Sequence, residues 1–182
     1  MAREVRAFAI TVLALAVLGL PAGLLWSALS PRPPYQVIER TPTLADPSTQ
    51  ALIAADGWFA TITGALGLAC GTAAWFLSRR VQIPVLLGLA LGGTAGAFAA
   101  FWAGTTFTVG VVAVEAAAAP GVAFLPGPLS LTAKGVLVSW PLLATGVFGF
   151  LEGMHGYRES PLRKPHPPAG TTAPPPGPTP PG

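Results

Sequence analysis

One cysteine, Cys70, and two histidines in 182 residues leave no material for a disulfide framework and no His/Cys cluster for a metal. Charge is equally scarce. Asp, Glu, Lys and Arg make up 9% of the chain, against about 25% in a soluble domain. With 52% apolar residues, this composition excludes both an ordinary soluble globule and a disordered polymer, which needs low hydrophobicity and high charge. The net charge of +3 comes from Lys and Arg at the ends of apolar runs, not from a basic stripe interleaved with aromatics. Nucleic acid is therefore not an expected partner.

Two further absences bear on function. The apolar runs carry no ionisable residue at mid-depth, where a proton-coupled transporter or pump is expected to keep at least one. Glu152 and His155 stand near the end of the last run, and Asp56 and Lys134 at the ends of others. The chain also shows no nucleophile–base pair, no paired carboxylates and no glycine loop ending in Lys-Ser/Thr. No catalytic, cofactor-binding or metal-ligating residues are assigned, and the chain is not expected to be an enzyme.

What is present is a set of long apolar runs. A bilayer core of about 30 Å is crossed by about 20 apolar residues in a helix. Residues 8–29, 57–78 and 83–104 each supply 22, and 135–154 a fourth span that takes in Glu152 near its end. The N-terminal run is longer than a signal-peptide core and lacks a clean small-x-small cleavage site, so it reads as a retained helix. The predicted fold class is all-α, a four-helix transmembrane bundle over 8–155. A short N-terminus, 1–7, precedes it and a disordered Pro-rich tail, 156–182, follows. Ten of the 21 prolines fall in the last 23 residues, including a Pro-x-x-Pro at Pro165 and Pro168.

Orientation follows from the flanking cations. With the N-terminus inside, the cytoplasmic side holds Arg3, Arg6, Arg79, Arg80, Arg158, Arg163 and Lys164, and the outer side Arg32, Arg40 and Lys134. Both termini are expected in the cytoplasm of a multi-pass plasma-membrane protein. Arg158, Arg163 and Lys164 are placed to touch anionic headgroups. The five tryptophans, Trp26, Trp58, Trp75, Trp102 and Trp140, read as interface anchors, Trp140 least well because it falls inside the fourth span.

Helices in hydrocarbon associate where small residues let backbones approach. The third span has Gly88, Gly92, Gly96, Ala100 and Gly104 at four-residue intervals, successive members lying about 40° apart around the axis. The second has Gly67 and Gly71 at the same spacing, the first Gly19 and Gly23, and the fourth Gly149 and Gly153. The stripe suits either packing of the third helix on the second, to which a short loop ties it, or an interface with another chain. Pro21 and Pro141 are expected to bend their helices or shape a first turn. The hydroxyls of Thr61, Thr63, Thr72, Thr94 and Ser139 are expected to bond back to their own helices.

Asp56 reads as the N-cap of the second helix. Lys134, a cation at a helix N-terminus, calls for an acidic partner, and an outer-face ion pair of Asp56 with Lys134 is the expectation. Residues 30–55, rich in proline, read as extended, and Val109–Ala119 as an extension of the third helix or an interfacial segment.

The order of these features resembles a family of small actinobacterial membrane proteins, domain of unknown function 2567. The resemblance rests on Gly19-Leu20-Pro21-Ala22-Gly23-Leu24-Leu25-Trp26, Ala54-Ala55-Asp56-Gly57-Trp58-Phe59, Gly88-Leu89-Ala90-Leu91-Gly92-Gly93 and Ala133-Lys134-Gly135-Val136-Leu137-Val138-Ser139-Trp140-Pro141. It covers about residues 8–155, outside the tail and the long outer loops. It implies an actinobacterial plasma membrane and four helices, and assigns no activity. The functional expectation is a non-enzymatic accessory or scaffold subunit, without a cofactor. Its partners are the lipid bilayer and either a larger membrane complex or a second copy of itself. The alternative is a small transporter or channel component working as an oligomer.

Overall fold

A computed structural model describes residues 1–32, 34–38, 41–44, 50–78, 81–107, 125–126 and 129–159. Four helices dominate it. They are α1 (Ala2–Leu29), α2 (Ala51–Leu77), α3 (Gln82–Thr106) and α4 (Ser139–Glu159), the last led in by a 3-10 segment, Lys134–Val138. All four, α4 taken with its 3-10 lead, are long and apolar enough to cross a membrane. The predicted four-helix architecture is therefore present. The predicted tail from 160 onward, the segment 109–119, and Arg79, Arg80, Arg163 and Lys164 lie outside the described residues.

All four helices run past their predicted bounds, α3 only by a residue or two at each end. α1 starts at Ala2, not Phe8, so Arg3 and Arg6 sit on its first turns. α2 starts at Ala51, six residues before Gly57, because Ala51-Leu52-Ile53-Ala54-Ala55 contains nothing that resists a helix. α4 continues through Glu159. Pro21 is accommodated inside α1, which is unbroken, and Pro141 falls in the first turn of α4, where a missing N–H is tolerated.

Outside the bundle, the proline-rich connection after α1 forms strands β1 (Pro34–Ile38) and β2 (Thr41–Leu44), paired antiparallel with Tyr35 opposite Leu44. A two-residue strand, β3 (Leu125–Pro126), joins the free edge of β1, giving the order β2-β1-β3. The extended character of this connection was legible in its prolines. Its pairing with a segment about 90 residues downstream was not.

Helix neighbours correct the sequence reading most. α3 packs mainly on α1 and α2 mainly on α4, with a lesser α3–α4 seam and few contacts between α2 and α3. Both main pairs are parallel. Gly88 faces Thr11 and Gly104 faces Trp26, while Gly64 faces Leu143 and Gly71 faces Val147. The short α2–α3 connection brings two helix ends together without bringing the helices together. Which backbones approach is decided by where the glycines point. The core lies along the α3 seams, where Leu89, Ala97, Trp140, Ala144 and Phe148 are almost fully enclosed.

Candidate functional site

The predicted small-residue stripe is a packing surface within the chain. A Cβ on Gly88 would stand 2.8 Å from the Thr11 Cβ, one on Gly92 2.9 Å from the Val12 Cα, and one on Gly96 2.6 Å from the Leu15 carbonyl oxygen. None of those distances is tolerated by a real side chain. The fit is reciprocal, since Gly19 and Gly23 of α1 lie against the backbone of Gly96 and Ala100. Gly104 makes room for the Trp26 ring. On the other pair, Gly67 opens the way for the Trp140 carbonyl, at 2.7 Å from an added Cβ, and Gly71 for Ala144 and Val147. Gly149 and Gly153 of α4 differ: nothing lies within 4 Å of a Cβ at either position.

Polar side chains of α2 reach the fourth helix or the segment leading into it at three levels. At one end, buried Asp56 accepts hydrogen bonds from two backbone N–H groups, Thr132 to Oδ1 at 3.0 Å and Ala133 to Oδ2 at 2.8 Å. Ala133 is the N-cap position of the 3-10 segment. The carboxylate thus satisfies donors that have no intrahelical partner, but on a different helix from the one predicted. The N-cap of α2 is Gln50, which makes no side-chain cap bond. The predicted Asp56–Lys134 ion pair is absent as well. The one salt bridge within 4 Å among the described residues joins the N-terminal amine to Glu4. With both carboxylate oxygens directed at main-chain N–H groups, the exposed Lys134 beside them is left without that contact.

One level down, Thr63 and Ser139 stand 2.7 Å apart, hydroxyl to hydroxyl; each has a single hydrogen, so one donates to the other and the acceptor donates in turn to its own carbonyl, Phe59 for Thr63 or Val136 for Ser139. At the far end, Trp75 Nε1 donates to Glu152 Oε2 at 3.1 Å and its ring stands edge-on to His155. Thr61, Thr94 and Thr145 bond back to carbonyls four residues earlier, as expected of hydroxyls in apolar helices.

Two tryptophans depart from the interface-anchor reading. Trp26 and Trp140 are fully enclosed, whereas Trp58 and Trp102 are 42% and 56% exposed, as anchors require. Trp26 donates its indole N–H to the Ala55 carbonyl at 2.8 Å and meets Phe59 edge-on, joining α1, α2 and the Gly104 gap of α3. Trp140 fills the junction of α2, α3 and α4, and its Nε1 has no hydrogen-bond partner among the described residues. Sequence reasoning misplaced Trp26 and marked Trp140 as the poorest anchor without assigning it a role, because it weighed depth in the membrane and not the neighbouring voids. A large ring next to a run of glycines was the available signal.

Beyond Trp75, α4 presents an open groove of about 520 Å³ lined by Gly149, Phe150, Gly153, Met154, Tyr157 and Arg158. Met154 and Arg158 also border a smaller hollow of about 150 Å³ with Trp75, Leu151 and His155. Among the described residues no group of three or more His, Cys, Asp or Glu side chains is placed to hold a metal ion. No family model, curated protein or solved structure matches this chain.

Proposed function

We propose that this chain is a non-enzymatic accessory subunit of the plasma membrane, with both termini in the cytoplasm, working by lateral association with a larger membrane complex. The observation that carries this reading is the outward side of α1. There Ile10, Leu13, Val17, Leu20 and Leu24 are exposed at alternating three- and four-residue intervals, the spacing at which helices interlock side by side. The interior of the bundle supports it too. Trp140, Leu89 and Phe148 are almost fully enclosed between the helices, which favours a packed bundle over one that lines a solute pathway. Asp56, Thr63, Trp75 and Trp26 engage their polar groups in holding α2, α4 and α1 together. Membership of the domain of unknown function 2567 family is part of the same proposal and rests on the Ala-Asp-Gly-Trp-Phe and Ala-Lys-Gly-Val-Leu segments.

The test is photocrosslinking in intact membranes of the native host, with a photoreactive residue at Leu13 or Val17. A crosslink to one defined membrane protein, lost when the probe is moved to buried Leu15, is the expected result. Crosslinks to lipid alone from both positions overturn the accessory reading. Labelling of a single added cysteine at Gly182 from the cytoplasmic side only, in a Cys70→Ala background, tests the orientation.

A further inference from the structure

The α4 groove differs from the glycine surfaces by which α1, α2 and α3 pack. The glycines of α1 and α3, and Gly64, Gly67 and Gly71 of α2, meet another helix of the chain, while Gly149 and Gly153 leave a trough between larger side chains that no described element covers. The trough is apolar along Phe150 and Met154 and ends at a guanidinium, Arg158. Arg158 is exposed and forms no salt bridge among the described residues. It is also the last residue of the apolar span Lys134–Arg158, the position of a headgroup-level residue. Gly149 lies nine residues earlier, about 13 Å deeper at the helical rise. That is close to the depth of one leaflet of a core about 30 Å thick.

We propose that this groove binds one anionic phospholipid, its phosphate on Arg158 and one acyl chain lying over Gly153 and Gly149. Each part of the groove matches a part of that molecule. A guanidinium pairs with a phosphate by parallel N–H···O bonds, and Tyr157 lines the same end of the groove as Arg158, an amphipathic ring of the kind that borders headgroups. The glycine floor takes a methylene chain without displacing protein atoms. A second copy fits less well. A two-fold interface through this trough sets the two Arg158 guanidiniums against each other, since the same patch faces itself. The proposal rests on the membrane-embedded reading of the four helices, not on the accessory role.

The test begins with protein that resists alkaline extraction from membranes. Material that washes off overturns the membrane reading itself. The embedded protein is extracted in a mild detergent, and lipid retention is followed by native mass spectrometry during titration with phosphatidylglycerol or phosphatidylcholine of identical chains. One phosphatidylglycerol should be retained at a concentration about fivefold lower than phosphatidylcholine, the preference one basic residue near the surface supplies. Arg158→Gln should abolish the preference while leaving the helical circular dichroism unchanged. Gly153→Ile, where a Cβ meets nothing within 4 Å, should weaken retention of both lipids. Equal retention of the two lipids by the unaltered protein overturns the proposal, as does an unchanged preference in Arg158→Gln. A dimer that Gly153→Ile dissociates assigns the groove to a second copy and overturns it as well.

Discussion

The main-chain N–H of Ala133 donates to the carboxylate of Asp56 over 2.8 Å, across 77 residues of sequence. The bond fixes the start of the fourth helix to the side of the second. It closes the end of the bundle where the α3–α4 connection returns. Asp56→Ala leaves two N–H groups without acceptors, at about 1–3 kcal/mol for each that water does not reach. Asp56→Asn keeps one acceptor oxygen and should lie between. Thermal unfolding in detergent, followed by helical circular dichroism, gives the order directly.

Lys134→Met should change neither the unfolding midpoint nor the amount of protein in the membrane, within about 0.5 kcal/mol for an exposed side chain. A loss comparable to that of Asp56→Ala would mean that the lysine and the carboxylate interact after all.

The glycines divide into two classes that a single substitution separates. Gly23→Ala and Gly96→Ala push a methyl group into the facing backbone and should destabilise by about 1–3 kcal/mol. Gly146→Ala and Gly149→Ala meet open space and should be neutral or stabilising by up to about 1 kcal/mol, the helix-propensity gain. Uniform destabilisation across all four variants would refute the assignment of α1 and α3 as partners.

Trp26→Phe and Trp140→Phe remove similar volumes from enclosed sites. The first also breaks a hydrogen bond to Ala55, and the second removes an N–H without a partner among the described residues. Trp26→Phe should therefore cost about 1–2 kcal/mol more than Trp140→Phe. Equal losses would mean that the two indole N–H groups are equivalent.

Thr63→Val and Ser139→Ala, alone and together, test the contact between the middle of α2 and the start of α4. A coupling energy of about 0.6 kcal/mol is expected, the average for hydrogen bonds between membrane helices. Additive effects would leave the two hydroxyls satisfied by their own helices alone.

The spans were legible in the sequence because hydrocarbon imposes a length and excludes charge, and both are countable along a chain. The contact surfaces were legible to the level of residue type: Gly88, Gly92, Gly96, Gly67 and Gly71 do meet other helices. The partner was not legible, since four-residue spacing says which side of a helix is smooth but not what lies against it. Asp56 shows the same limit. Its carboxylate does serve a helix N-terminus, but chain proximity pointed to its own helix, and only the fold brings Thr132 and Ala133 to it. Trp26 and Trp140 were misread because interface anchoring and gap filling both use a large ring.

The pairing of α1 with α3 and of α2 with α4 has a consequence for biogenesis. Each helix enters the bilayer before its main partner has been synthesised, so α1 waits with Gly19 and Gly23 uncovered until α3 arrives. α2 waits about as long, with Gly67 and Gly71 bare until the last span is inserted. The helical hairpin of α1 and α2 has Trp26 as its principal fastening and little else. A chain interrupted after α3 would display a glycine-lined face of α2 to the membrane, a surface shaped for close helix contact and left without one.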